Sequence, residues 1–301
     1  MEFRQLLYAV QIYKEKNFSR AAHVLHIAQP SLSQQLAKLE IELGVQLFRR
    51  TTNSVEPTYA GETFVRKAQQ ILDLAEQIKV EMNDISQLRQ GKLVVGTLPI
   101  TGSHILPLVL PEFAKRHPGI EVSLVEDSTT NLEQLTSAGA VDFSLLTLPI
   151  EDESLDWRPY VTEEICLAVP AGHRIAPLAE PIPVKQLANE SFIVMKKGNG
   201  FRQITQDICE AAGFSPTIVF ESSNIETIQS LVAAGMGVAL IPRMVADSKK
   251  GRYVPVYKKL TDPAPSRTLV VAERRGRYLS NAAEAFIATL MEVTTANANL
   301  K

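Results

Sequence analysis

Ser19 to Glu42, SRAAHVLHIAQPSLSQQLAKLEIE, holds two short helical patterns parted by a break, and its reading decides the fold. Ser19 is placed to cap a first helix whose Ala21, Ala22, Val24 and Leu25 form a small apolar face. After His26, Ile27 and Ala28, Pro30 suits the opening of a second helix, where its missing N–H would lack a partner anyway and its φ is preset. Within that helix Leu32, Leu36, Leu39 and Leu43 recur at intervals of four, three and four and line one buried stripe. Ser31, Gln34, Gln35 and Lys38 fall on other faces, and hydroxyls, amides and a lysine can reach base edges and phosphates. Gly44 stops the helix. Taken alone, the stretch is either a DNA-reading helix-turn-helix or a two-helix corner of an ordinary helical domain with a solvated polar face.

The flanks favour the first reading. Residues 2–16 are predicted to form an opening helix, with Phe3, Leu6, Leu7 and Val10 on its packing face. Beyond the second helix, LGVQLFRRTTNSVEPTYAG (43–61) alternates short extended pieces with a polar tip at Thr51–Ser54, the composition of a small hairpin. Such a wing would lay Arg49 and Arg50 beside a phosphate backbone. The whole chain carries a formal charge of −2, but residues 1–60 hold seven Lys/Arg against five Asp/Glu, a balance of +2 that leaves −4 for the rest. The asymmetry is modest; it supports DNA binding through the clustering of Lys38, Arg49 and Arg50 at the second helix.

From Thr58 the period changes. Phe64, Ala68, Ile71, Ala75, Ile78, Met82 and Ile85 are spaced alternately four and three apart, a heptad seam that favours pairing with a second copy over a helix lying on its own domain. A two-fold dimer would present two reading helices to a roughly palindromic site. Gln90, Gly91 and Lys92 are expected to form a hinge. After it, strands and helices alternate: strands at 93–96, 121–125, 142–148, 165–169, 192–194, 218–221, 238–241 and 266–273, and helices at 106–116, 131–138, 202–212, 225–234 and 281–292. That pattern predicts an α/β fold with a largely parallel sheet.

The 301 residues, 45% hydrophobic and 21% charged, suit two or more soluble domains. No apolar run approaches the ~20 residues of a membrane span, and the N-terminus lacks a secretory pattern, so a cytoplasmic protein with no membrane partner is expected. Cys166 and Cys209 offer neither a disulfide framework nor a metal cluster, and no cofactor is expected. The chain lacks nucleophile-elbow, zinc-helix and phosphate-loop patterns, and its five histidines are scattered singly, which argues against an enzyme. A solute-binding protein would explain two lobes but would need an export signal and would have no use for residues 1–88.

In α/β sheets ligands bind beyond the carboxyl ends of strands, where helix N-termini aim free N–H groups. Pro99-Ile100-Thr101-Gly102-Ser103, Ser128-Thr129-Thr130, Lys196 to Arg202 and Ser222-Ser223-Asn224 occupy those positions. Hydroxyls, a glycine turn and an arginine there suit a small anion such as a carboxylate, although plain helix capping accounts for any one of them.

FSRAAHVLHIAQPSLSQQLAKLEIELGVQLFRRTTNSVEPTYAGE (18–62) resembles the LysR-type transcriptional regulators, through Ala21-Ala22, Gln29 to Ser33, Leu39-Glu40, Leu43-Gly44, Leu47 to Arg50 and Thr58 to Gly61. Similarity continues through Leu106-Pro107, FAKRHPGIE (113–121) and LVAAGMGVALIPR (231–243) and so covers nearly the whole chain. The resemblance implies a winged helix-turn-helix over 1–58 and a dimerising linker helix and hinge over 59–90. It also implies a two-lobed α/β effector domain over 91–301 with the fold of periplasmic binding proteins, lobe I at about 91–162 and 267–301 and lobe II at about 163–266. Such regulators are usually tetramers on an interrupted palindrome, and a bound effector alters DNA bending and polymerase recruitment. By the same resemblance Gln29, Ser31, Ser33 and Gln34 would approach bases and Arg49 and Arg50 phosphates, with Ser19, Arg20, Pro30, Lys38 and Thr51 completing the DNA-facing set. Pro99, Ile100, Thr101, Gly102, Ser103, Ser128, Thr129, Gly200, Phe201, Arg202 and Ser222 would border the effector. Peroxide-sensing members carry a reactive cysteine where this chain has Gly200, while Cys209 falls where their second cysteine lies. The departure favours a metabolite as the signal over a redox- or assembly-controlled alternative.

Overall fold

In the computed structural model, which describes residues 1–50, 55–85, 91–248 and 254–298, the chain forms two compact units, one over Met1–Leu88 and one over the bulk of Arg89–Lys301. The first opens with α1 (Phe3–Glu15), where the Glu2 N–H donates to Gln5 Oε1 at 2.8 Å. This helix buries Gln5, Leu6, Ala9, Val10 and Ile12, so the expected face is rotated: Phe3 and Leu7 stay 53% and 41% exposed. In α2 (Phe18–Val24) the cap is Asn17, whose side chain accepts from Arg20 N at 3.0 Å. Ser19 lies inside the helix, and Ala21 and Ala22 are buried while Val24 is exposed.

α3 (Gln29–Leu43) starts one residue earlier than expected, with Pro30 at its second position. Leu32, Leu36 and Leu39 are buried as their spacing predicts; Leu43 is not, because the helix ends at Gly44 (φ 70°) and leaves that last turn in solvent. β1 (Phe48–Arg50) and β2 (Val55–Pro57) form the antiparallel wing, Arg49 opposite Glu56. The tip, Thr51–Ser54, lies outside the described residues.

α4 (Tyr59–Ile85) is capped by Thr58, whose hydroxyl accepts from Gly61 N at 3.0 Å and donates to Gln46 O at 2.7 Å. A Cβ at Gly61 would stand 1.9 Å from Leu47 O, so glycine is what lets this helix lie against the chain entering the wing. Its first turns close one core: Val65 and Ala68 are buried with Leu6, Ile12, Phe18, Leu32, Leu36, Leu39 and Leu47, and Phe64 packs against them. Of the heptad positions, Phe64 and Ala68 therefore face their own unit. Ile71, Ile78 and Met82 are exposed, Ala75 is half-buried, Leu74 is 57% exposed beside them, and the Ile85 side chain lies outside the described residues.

The second unit begins with β3 (Gly91–Thr97), so Gly91 and Lys92 belong to a strand rather than a hinge; Gln90 lies outside the described residues. There follow α5 (Pro99–His104), α6 (Leu106–Arg116), β4 (Ile120–Glu126), α7 (Thr129–Ser137), β5 (Phe143–Thr147) and the long β6 (Leu155–Val169). Next come β7 (Ile182–Pro183), β8 (Ser191–Met195), α8 (Gly200–Ala211), β9 (Thr217–Ser222), α9 (Ile225–Ala233) and β10 (Ala239–Pro242). α10 (Arg243–Asp247), β11 (Val256–Thr261), β12 (Ser266–Arg274) and α11 (Asn281–Ala298) complete it.

The sheet is mixed rather than largely parallel. β4–β3–β5 and β8–β9 are parallel, but β12 runs antiparallel to both β5 and β6, and β6 runs antiparallel to β10 and β11. β6 is the strand that reaches two cores, with Ile165 and Leu167 in one and Tyr160 packed against the other, while of these two β12 gives Val271 to the latter alone. One core gathers Leu93, Phe113, Phe143, Val271 and Phe286; the other gathers Ile165, Leu167, Phe192, Ile208 and Val232. Where the chain runs out along β6 and back along the neighbouring β12, the two strands are antiparallel to each other. Among the described residues no helix is long and apolar enough to cross a membrane.

Candidate functional site

Two groups of side chains stand out, one in each unit. On α3, Pro30, Ser31, Gln34 and Lys38 are exposed, while the Gln29 amide donates to Ser33 Oγ at 2.8 Å and both residues are half-buried. The same helix holds the wing in place: Glu40 Oε1 accepts from Leu47 N at 2.7 Å and Phe48 N at 3.2 Å. Arg49 is exposed on the wing; the backbone of Arg50 pairs with Val55, and its side chain and Thr51 lie outside the described residues. Ser19 and Arg20 are exposed on α2, but Arg20 is turned back onto Glu15, donating to its carbonyl at 2.5 Å. The geometry is a rigid polar ridge of hydroxyl, amide and ammonium groups with a guanidinium beside it, suited to a groove edged by phosphates.

In the second unit the predicted segments meet at the starts of α5, α7 and α8. The Gly200 N–H donates to Thr129 Oγ1 at 3.0 Å, tying α8 to α7. Ile100 of α5 shares a hydrophobic cluster with Phe201. Thr101 is fully buried, and its hydroxyl has no partner among the described residues. The Pro99–Ser103 segment is itself helical rather than a loop, so Ser103 Oγ donates back to Pro99 O at 2.9 Å; a Cβ at Gly102 would meet Glu126 Oε1 at 2.6 Å. Ser128 Oγ accepts from Asn131 N at 3.4 Å as the cap of α7, and Ser222 Oγ accepts from Asn224 N at 3.1 Å in the turn before α9, whose cap is Asn224 itself. Arg202 does not stand free: its guanidinium donates to Met195 O at 3.1 Å and Glu221 Oε1 at 2.5 Å.

The residue that sequence reasoning missed here is Arg267. Its side chain, 1% exposed, is paired with Glu163 and lies 5.5 Å above the Phe201 ring. Glu163 also accepts from Met244 N at 2.8 Å, and the buried Tyr160 hydroxyl nearby is driven up out of its usual range by burial. Arg267 lies at the polar start of β12, between Ser266 and Thr268 and before the apolar run Leu269–Ala272, so the sequence carried no local signal for it.

Both cysteines are buried. Burial pushes the Cys166 thiol up, and burial together with Glu210 pushes that of Cys209 up to about 12. At pH 8 the thiolate fraction of Cys209 is therefore about one in ten thousand, against roughly a quarter for an ordinary thiol. Native protein treated with iodoacetamide or hydrogen peroxide at pH 8 is expected to keep both thiols, while denatured protein reacts at both. Mass spectrometry showing a Cys166–Cys209 bond after mild peroxide would contradict this.

These arrangements have relatives. Residues 3–62 match the family of bacterial regulatory helix-turn-helix proteins of the lysR type, and residues 86–295 match the LysR substrate binding domain. An uncharacterized HTH-type transcriptional regulator of Bacillus subtilis, YcgK, is 40% identical over 95% of this chain and 93% of its own length. The Escherichia coli transcriptional dual regulator OxyR is 32% identical, over 93% and 91%. A full-length OxyR variant from Pseudomonas aeruginosa superimposes with a TM-score of 0.77 at 29% identity, covering 98% of this chain and 94% of that one. With both halves matched in order, and the reading helix, wing, long helix and mixed α/β unit all in place, the chain belongs to the LysR family of transcriptional regulators.

Proposed function

We propose that this regulator reads an interrupted palindrome in promoter DNA through Ser31, Gln34 and Lys38 on α3 and Arg49 on the wing, acting in the cytoplasm as a tetramer built from dimers paired along α4 and, where it activates, recruiting RNA polymerase. The observation that carries the DNA-reading role is the exposed polar face of α3 held at a fixed distance from Arg49 by the Glu40 carboxylate. Apolar Ile71, Leu74, Ile78 and Met82, exposed in a single chain, support the pairing.

The signal is a small molecule taken up around Thr101, Thr129 and Gly200. An anion was the expectation, but both nearby guanidinium groups, Arg202 and Arg267, are already matched by Glu221 and Glu163. The group left over is the buried Thr101 hydroxyl, which favours a small polar ligand held by hydrogen bonds over one held by charge.

Binding to cognate and random duplexes across a salt series tests the DNA assignment. Arg49→Ala is expected to weaken both equally and to lower the salt slope by about 1; Gln34→Ala is expected to cost roughly 1–3 kcal/mol on the cognate duplex alone. Equal losses on both duplexes for Gln34→Ala would remove it from the base-reading set.

A further inference from the structure

The second unit contains an open pocket of about 610 Å³ that none of Thr101, Thr129 and Gly200 lines. Its size lies within the ~300–1,000 Å³ of small-molecule sites. Leu148 and Ile150 line it from the loop after β5, and Trp157 from β6. α8 contributes Ile204, Asp207, Ile208 and Ala211, which recur at intervals of three, one and three on one side of the helix. The rest of the wall includes Pro149, Pro263 and Pro265, which have no N–H to donate.

The polar side chains of this wall are Asp207, Arg267, Ser266 and Thr268, the last with its hydroxyl bonded to Thr162 Oγ1 at 3.2 Å. Arg267 also lines it, but its Nε and Nη2 are both committed to Glu163 at 2.7 and 2.5 Å, so its charge is neutralised. Asp207 is exposed; its Oδ1 accepts from the Gln203 amide at 2.8 Å, and no cation pairs with it among the described residues. Trp157, the chain's one tryptophan, is 48% exposed in the same wall. A carboxylate without a cation and an aromatic face in a largely apolar pocket are groups that recognise an organic cation. An anion would meet an uncompensated carboxylate there.

We propose that this pocket binds a small organic cation, an ammonium or amidinium group on a compact apolar body, with Asp207 taking the charge and Trp157, Leu148 and Ile208 covering the body. The site stands independently of the ligand assigned to Thr101, Thr129 and Gly200.

Because Trp157 is unique, its emission in the full-length protein reports this pocket alone. Three probes share one ring and differ in charge: cyclohexylmethylammonium, cyclohexylmethanol and cyclohexanecarboxylate. At pH 7.5 (about three units below the amine's pKa) the ammonium compound is expected to give a saturable change in Trp157 emission, at concentrations at least about tenfold below those needed for the alcohol or carboxylate. Asp207→Asn, at an exposed position, is expected to keep the fold and abolish that preference, and Ala211→Phe, which fills the pocket, to abolish the response. Equal binding of the alcohol or carboxylate, a preference unchanged by Asp207→Asn, or no saturable response to the ammonium probe would each overturn the proposal.

Discussion

Arg267→Met is expected to destabilise the second unit by about 3–5 kcal/mol, the largest effect of any single substitution considered for it. The Arg267 side chain is 1% exposed and that of Glu163 is 9% exposed, and the pair is held at 2.5 Å, so methionine would leave a carboxylate buried without its cation. The Met244 N–H would remain on Glu163 but supplies no compensating charge. Because the loss comes from the orphaned charge rather than from the bond itself, the double variant Glu163→Gln with Arg267→Met should recover much of it. Denaturant unfolding of the full chain measures both, and the transition belonging to the second unit should move while that of the first stays. A loss below about 1 kcal/mol for Arg267→Met would mean that water reaches Glu163 and that the pair is not a structural element.

The second large effect is expected at Leu39→Ala, about 2–5 kcal/mol. Leu39 is fully buried in the core shared by α1, α2, α3 and the start of α4, and a unit of this size has total stability on the order of 4–13 kcal/mol. DNA binding should fail together with the first unit's unfolding transition. Leu43→Ala is the control, since it is one helical turn further along the same heptad stripe but 38% exposed, and it should cost about 1 kcal/mol or less. Similar losses for the two would show that the stripe continues past Gly44 into a contact that a single chain does not display.

That contrast also marks how far the sequence could be read. Leu32, Leu36 and Leu39 were legible because each turn of α3 is covered by another element, so period and burial agree. Leu43 and, on α1, Phe3 and Leu7 were not, because periodicity identifies an apolar face without saying what stands opposite it. Strands with apolar runs were placed to within a residue or two except β6, of which only Ile165–Val169 was expected because Leu155–Glu164 mixes charged and polar residues into the strand. β7, α10 and β11 were missed because they are short or, like VYKKLT, interleave lysines with apolar residues. The antiparallel middle of the sheet could not be seen, since it depends on β12 pairing with β6 from about 100 residues away, and pairing sense leaves no local trace. The candidate effector residues were located by their place at helix starts, but their state was not: the partners that neutralise Arg202 and Arg267 lie 19 and 104 positions away.

One carboxylate on α3 has a wider consequence. Glu40 takes two amides of the wing's entry, so on the DNA-binding role proposed above the backbone carrying Arg49 is tethered to the helix that would read the bases, like the jaw of a caliper with little play. A duplex whose backbone lies at a different depth from its base edges would then have to change its groove width to be gripped, and the stiffness of the DNA itself would enter the discrimination.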